Sequence, residues 1–371
     1  MNVRGTVAAG YEPVREVFTK LVEEGRETGA ALSIWTAGRE VVRLNGGWSD
    51  VARSRPWTDE TLVTTYSTSK PFAALTALAA VAGGALELDE PVGRYWTEFS
   101  RAGKENTTLR QILTHRSGLP AFPPETSGID LLDDAALRRS LADATPEFEP
   151  GTGLAEQALT HGHLLDGVLR AATGRSLGEI YTEQVRPALG IDAWFGVPEP
   201  ELGRVAELEL GIDGTTDELV AEVAPTYRRA LALPAGALDP ARLNTPAWQR
   251  SVFGASGLHA SATALAGFYA ELTSPDGPVA RLLGPELHAD FLGAQVCGHD
   301  EVVGTTVRWT LGPFRTDAFL GLGGFGGSAA WWSLRHGHAV GYVTRRLHDH
   351  GRIAEVAAVL GDDLRLEVTC D

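Results

Sequence analysis

The sequence is short of several things, and each shortage excludes something. Its 371 residues contain two cysteines, Cys297 and Cys370, too few for a disulfide framework or a thiolate zinc site. Basic residues are outnumbered, 32 against 48 acidic, for a formal net charge of −16. Nucleic acid and anionic membrane both reward clustered Lys and Arg, so neither is expected as a partner. No long hydrophobic run is present: the small-apolar stretch 72–85 is too short to span a bilayer and ends at Gly83-Gly84. The N-terminus lacks the apolar core of a signal peptide. Repeats and low-complexity tracts are absent. What remains is a chain with 43% hydrophobic residues, ample for a folded core, read as soluble and cytoplasmic.

The organisation is uneven along the chain. Val14, Val17, Phe18, Leu21 and Val22 fall at helical spacing. Two β-rich runs, 30–35 and 40–44, flank the turn Ala37-Gly38 and predict a hairpin. From residue 66 the text is mostly helical to about 230, with amphipathic stretches at 133–144, 159–173 and 177–189. Residues 198–250, rich in Pro, Glu and Gly, give no clear pattern. A helix is predicted over 260–272, strands over 305–311, 330–334 and 339–344, and a last helix over 353–360. Strands at both ends around a helical middle predict an α/β (α+β) fold, with one antiparallel sheet built from both termini. The expected division is a single unit, with 1–65 and 300–371 forming the sheet and 66–299 a mainly helical insertion.

The most informative stretch is Tyr66-Ser67-Thr68-Ser69-Lys70-Pro71. Positions i and i+3 share a helix face, so the Lys70 amine can reach the Ser67 hydroxyl. Pro71 is tolerated only in a first helical turn, which places Ser67 at a helix N-terminus among unpaired N–H groups. A covalent acyl-transfer nucleophile needs these things: a proton acceptor nearby and donors for an oxyanion. Alone, Ser-x-x-Lys is common by chance and also fits a solvated helix cap. It is followed, however, by Gly84-Ala85-Leu86-Glu87-Leu88-Asp89-Glu90-Pro91-Val92 and by Leu113-Thr114-His115-Arg116-Ser117-Gly118-Leu119-Pro120. Later come Pro150-Gly151-Thr152, Thr173-Gly174-Arg175-Ser176-Leu177, Pro187-Ala188-Leu189-Gly190 and a glycine-rich run ending Gly326-Gly327-Ser328.

In this order and spacing, over about 15–360, these motifs resemble the serine β-lactamase-related family, in its class C and family VIII esterase branch. The resemblance implies a β-lactamase/transpeptidase-like fold, Ser67 as the acylated nucleophile, Lys70 as its proton partner, and no cofactor or metal. It also implies an oxyanion hole from the backbone N–H groups of Ser67 and Phe325.

Two family elements are altered. Where a tyrosine is usual after Pro-Gly-Thr, alignment puts Glu156. Where Lys-Thr-Gly or His-x-Gly is usual, the text reads Leu322-Gly323-Gly324. A carboxylate at 156 favours the ammonium form of Lys70, making it a poorer base. Glu156 then either serves as the general base or, held protonated by burial, gives a proton to the leaving group. Leu322 disfavours recognition of a β-lactam carboxylate and favours an apolar acyl or alkyl group. Gly324 lets a strand approach a ligand closely. His161, one turn beyond Glu156, either lines the same cleft or is a structural histidine.

Three His-x-His pairs (161/163, 336/338, 348/350) have no spacing that completes a metal set, so no metal site is expected. The leading reading is a serine hydrolase or acyltransferase of specialised metabolism acting on a small ester, thioester or amide. The alternatives are non-covalent acid–base chemistry with Glu156 and Lys70, and a non-catalytic binding protein. Oligomeric state is not legible.

Overall fold

The computed structural model describes residues 2–221 and 223–370. Nine strands form one antiparallel sheet: β1 (Arg4–Val7), β2 (Gly29–Thr36), β3 (Arg39–Gly47), β4 (Val296–Asp300), β5 (Thr305–Trp309), β6 (Phe314–Arg315), β7 (Phe319–Gly323), β8 (Ala329–Ser333) and β9 (His338–Thr344). Their spatial order is β1-β3-β2-β9-β8-β7-β6-β5-β4. The hairpin β2–β3 is therefore joined to the C-terminal strands through β2–β9, with Ser33 opposite Gly341 and Ala31 opposite Val343. The fold is the mixed α/β arrangement predicted from the chain's two ends.

Each face of the sheet carries its own core. The outer face packs against α1 (Glu12–Glu23) and the last helix, through Phe18, Leu21, Val42, Trp331, Tyr342 and Val356. The larger inner core lies between the sheet and the helical part. Its axis is α2 (Lys70–Ala82), packed against α3 (Thr160–Thr173), and all residues of α2 from Lys70 to Ala80 are buried. A helix apolar on every side is one enclosed on every side, and its small alanines let neighbours approach closely.

The helix α5 (Ala262–Leu272), inside the stretch read as the helical insertion, packs on the sheet over β9 and β2. Contact is tightest at Gly341, where a Cβ would lie 2.3 Å from the Ala262 carbonyl oxygen and 2.7 Å from the Ala266 nitrogen. The helix predicted over 177–189 is continuous from Leu177 to Leu189 and widens to a π turn at Tyr181–Val185. Pro187 accounts for the widening, since its ring would clash with the carbonyl four residues earlier in a regular helix.

The tail was not anticipated. Cys297 on β4 and Cys370 form a disulfide that spans 73 residues. Such bonds persist mainly in oxidising compartments, which pulls against the cytoplasmic expectation. Among the described residues, no helix is long and apolar enough to cross a membrane.

Because Gly341 faces helix backbone, which has no rotamer with which to yield, Gly341→Val is expected to destabilise the protein by about 1–3 kcal/mol. Denaturant unfolding with an unchanged slope and a lowered midpoint is the expected readout.

Candidate active site

Ser67 sits in a one-turn 3₁₀ segment, Tyr66–Ser69, that leads directly into α2. Tyr66 has φ +51°, a left-handed conformation that bulky residues rarely adopt. The turn is held by its neighbours: Thr68 Oγ1 donates to the Thr65 carbonyl at 3.1 Å, and Ser69 Oγ accepts from the Leu258 N–H at 3.0 Å. The strained residue thus lies immediately before Ser67 and is fixed from both sides.

Lys70 Nζ donates to Ser67 Oγ at 2.8 Å and to Glu156 Oε1 at 3.0 Å. All three groups are buried, with Lys70 at 0%, Glu156 at 2% and Ser67 at 8% exposure. The carboxylate at 156 is therefore an ion-pair partner of the lysine, and not a solvated helix-cap acid. Its segment is tethered by Asp300 at the end of β4, whose Oδ1 accepts the Glu156 N–H at 3.0 Å. Asp300 also accepts from the Val302 and Val303 N–H groups and from Trp309 Nε1. Four N–H donors satisfy this buried carboxylate.

A fourth group was missed in the sequence. Tyr227, from the short helix α4 (Pro225–Leu231), brings its phenol beside Glu156 and Ser67. Burial, then the charges of Glu156 and Asp300, push the phenol's ionisation well above its usual range, while Ser67 acts in the opposite sense. Tyr227 is thus a neutral O–H donor at neutral pH. A phenol is present after all, delivered from the unpatterned 198–250 stretch.

The glycine-rich turn faces this cluster. A Cβ on Gly324 would lie 2.2 Å from the Thr65 carbonyl oxygen, so only glycine allows this backbone approach to the Ser67 turn. Gly324 N–H donates to Ser328 O at 2.7 Å, and Phe325 packs edge-on against Tyr66 with ring centroids 5.6 Å apart. His350 Nε2 donates to Gly324 O at 3.0 Å; burial pushes its ionisation down, consistent with a neutral ring. Behind the turn, Arg352 Nη2 donates to Gly326 O at 2.8 Å, and its Nη1 pairs with buried Glu27 at 2.9 Å. Glu27 also accepts from Tyr342 and Thr344, both at 2.6 Å.

Leu322 is buried with Leu154, Val307, Trp309 and Phe314. The side chain at the third family position is therefore part of an apolar cluster. His161 is not brought to the cleft. It is fully buried, with Nδ1 3.2 Å from Gln157 Nε2 and its ring 4.8 Å from that of His115. Burial first, and Lys70 second, push its ionisation down to about 3, so it is a neutral core residue. His338 and His348 are engaged by Asp362 and Asp349, at 2.7 and 2.9 Å.

Glu156, Tyr227, Leu322, Gly324 and Phe325 share a cavity of about 700 Å³. Of the buried Ser/Lys/carboxylate cluster, Glu156 lines this apolar cavity directly, with Lys70 and Ser67 behind it in one hydrogen-bonded chain.

The Beta-lactamase family model matches residues 14–362. The chain belongs to that family. It is 30% identical over 209 residues to the esterase/beta-lactamase LipL of Mycobacterium tuberculosis, covering 56% of this chain and 48% of LipL. It is 34% identical over 204 residues to the esterase EstB of Burkholderia gladioli, covering 50% and 51%. The chain thus spans about half the length of these curated relatives. A crystal structure of a family VIII carboxylesterase superposes with a TM-score of 0.83 at 28% identity, over 97% of this chain and 99% of that one.

Removing one member of a buried ion pair strands the other charge. Glu156→Leu and Lys70→Met are each expected to cost about 3–5 kcal/mol of stability, and the double variant to recover most of that loss. A double-mutant cycle in chemical denaturation measures the coupling.

Proposed function

We propose that this protein is a serine hydrolase that cleaves a neutral ester, thioester or amide through an acyl-Ser67 intermediate. The observation that carries the reading is the 2.8 Å contact between Ser67 Oγ and a fully buried Lys70 that is itself paired with Glu156. The relatives' names, an esterase/beta-lactamase and an esterase, support it.

The chemistry is a proton relay. Ser67 Oγ bonds to the acyl carbon as its proton moves to Lys70 Nζ, while Lys70 passes one of its own protons to Glu156. The 3.0 Å contact between Lys70 Nζ and Glu156 Oε1 gives that proton a direct path. The leaving group takes the Tyr227 phenol proton as its bond to the acyl carbon breaks, and Glu156 restores that proton. Lys70, Glu156 and Tyr227 end as they began, and Ser67 carries the acyl group. Water, or another acceptor, then repeats the sequence in reverse on the acyl-enzyme. The Ser67 and Phe325 N–H groups receive the oxyanion. This division makes Lys70 the immediate base, Glu156 the proton store and Tyr227 the acid.

An activated ester or a fluorophosphonate probe is expected to add one acyl or phosphonyl group to folded protein, located on Ser67 by peptide mass spectrometry. Labelling that persists unchanged in Ser67→Ala refutes the reading. Tyr227→Phe is expected to lower kcat by roughly 10²–10⁴-fold with a much smaller effect on KM, the usual size of a general-acid contribution. Steady-state kinetics on an ester with a poor leaving group is the measurement, since a good leaving group needs no acid.

A further inference from the structure

The cavity lined by Glu156 and Tyr227 does not end at those two groups. Beyond Leu322 and Phe325 its walls are Phe314, Phe319, Trp331, Ile353 and Ala357, and its far side is the chain after the last helix α6 (Gly351–Leu360), including Leu364 and Leu366. The tail crosses the sheet as a strap secured at both ends. At its start, Asp362 accepts from Trp331 Nε1, Ser333 Oγ and His338 Nε2 at 2.8, 2.6 and 2.7 Å. At its end, Val368 N–H donates to Thr306 O at 3.0 Å, Arg308 donates to Thr369 O at 3.1 Å, and Cys370 is bonded to Cys297. Between the anchors, Leu364 packs on the outer-face core and Leu366 touches both that core and the cluster around Leu322.

The charged groups that the tail brings to this cavity are paired or hydrogen-bonded. Arg365 is held at 2.6 Å by Asp363, and Asp362 is satisfied by its three donors. A volume of about 700 Å³ lined mostly by apolar side chains, its tail charges paired, suits an uncharged hydrocarbon moiety.

We propose that the strap from Asp362 to Cys370 is the far wall of an acyl-chain pocket, and that Leu364 and Leu366, latched by the Cys297–Cys370 bond, set the length of apolar acyl group accepted. This rests on the acyl-transfer reading for its catalytic meaning, but binding alone tests the pocket. Neutral linear amides from acetamide to decanamide, titrated calorimetrically, are expected to gain about fourfold in affinity per methylene until the cavity is filled. Leu366→Trp shortens the chain at which the gain stops. Cys297→Ser/Cys370→Ser, or reduction of the folded protein should that variant not fold, lowers the decanamide-to-butyramide affinity ratio by about tenfold or more.

A matching series of p-nitrophenyl esters, acetate to decanoate, reads the same preference in kcat/KM. Long-to-short ratios that stay the same in the oxidised, reduced and Leu366→Trp proteins overturn the proposal. Chain-dependent amide binding without ester turnover supports the pocket while counting against acyl transfer. Ester turnover with flat chain dependence does the opposite.

Discussion

The site depends on burying one positive charge where a hydroxyl needs it. Taking a lysine and a glutamate out of water costs several kcal/mol each, and the pair is tolerable only when geometry and hydrogen bonding are complete. Here Lys70 spends its donors on Ser67 and Glu156, and the Glu156 backbone is fixed by a second buried carboxylate, Asp300, with four donors of its own. The cation arrives on a helix enclosed on all sides, its counter-charge on a loop more than eighty residues later, and the tether at the end of a C-terminal strand. These three pieces, far apart in sequence, meet only in the folded chain, which makes the site a product of the whole fold.

The second constraint is backbone proximity. The turn after β7 approaches the Ser67 turn so closely that Gly324 leaves no room for a Cβ, and the turn is held from behind by Arg352. Arg352 is in turn paired with Glu27 from the N-terminal part of the chain. Both ends of the sequence therefore converge on the turn that carries the Phe325 N–H. A sheet built from both termini is what brings a residue near position 27 and one near 352 within a hydrogen bond of each other.

What the sequence discloses follows from how local each signal is. Ser67 and Lys70 are legible because a helix turn alone brings them together. The hairpin at 30–44, the helix at 159–173 and the strand at 339–344 are legible because their periodicity runs for several residues. β7 is hidden, since Gly321 and Gly323 replace the side chains a strand pattern needs; a Cβ on Gly321 would lie 2.5 Å from that of Trp331. Tyr227 is hidden for a different reason. Its helix is seven residues long, begins at a proline and lies in text without a period, so nothing local marks the phenol as facing Ser67. The pairing of Cys297 with Cys370 and the path of the tail are long-range facts that two isolated cysteines do not announce.

The two departures from the family pattern make sense together as a balance of charge. The usual pattern sets a neutral phenol at the second element and a cation or imidazole at the third. In this chain the second element is a carboxylate, and its charge is matched by Lys70 at 3.0 Å. A further cation at position 322 would sit among Leu154, Val307 and Phe314, where desolvation opposes it. Leucine avoids that cost and extends the apolar wall toward the tail. The phenol, displaced from its usual element, returns on α4 as a neutral donor, so that serine, lysine, glutamate and tyrosine together carry no net charge. A site balanced in this way has no surplus cation to attract an anionic substrate, and a chain with an excess of 16 negative charges gives such a substrate no help in approaching. Under the proposed acyl-transfer reading, charge balance at the Lys70–Glu156 end and hydrocarbon walls at the other favour the same thing, an uncharged acyl compound.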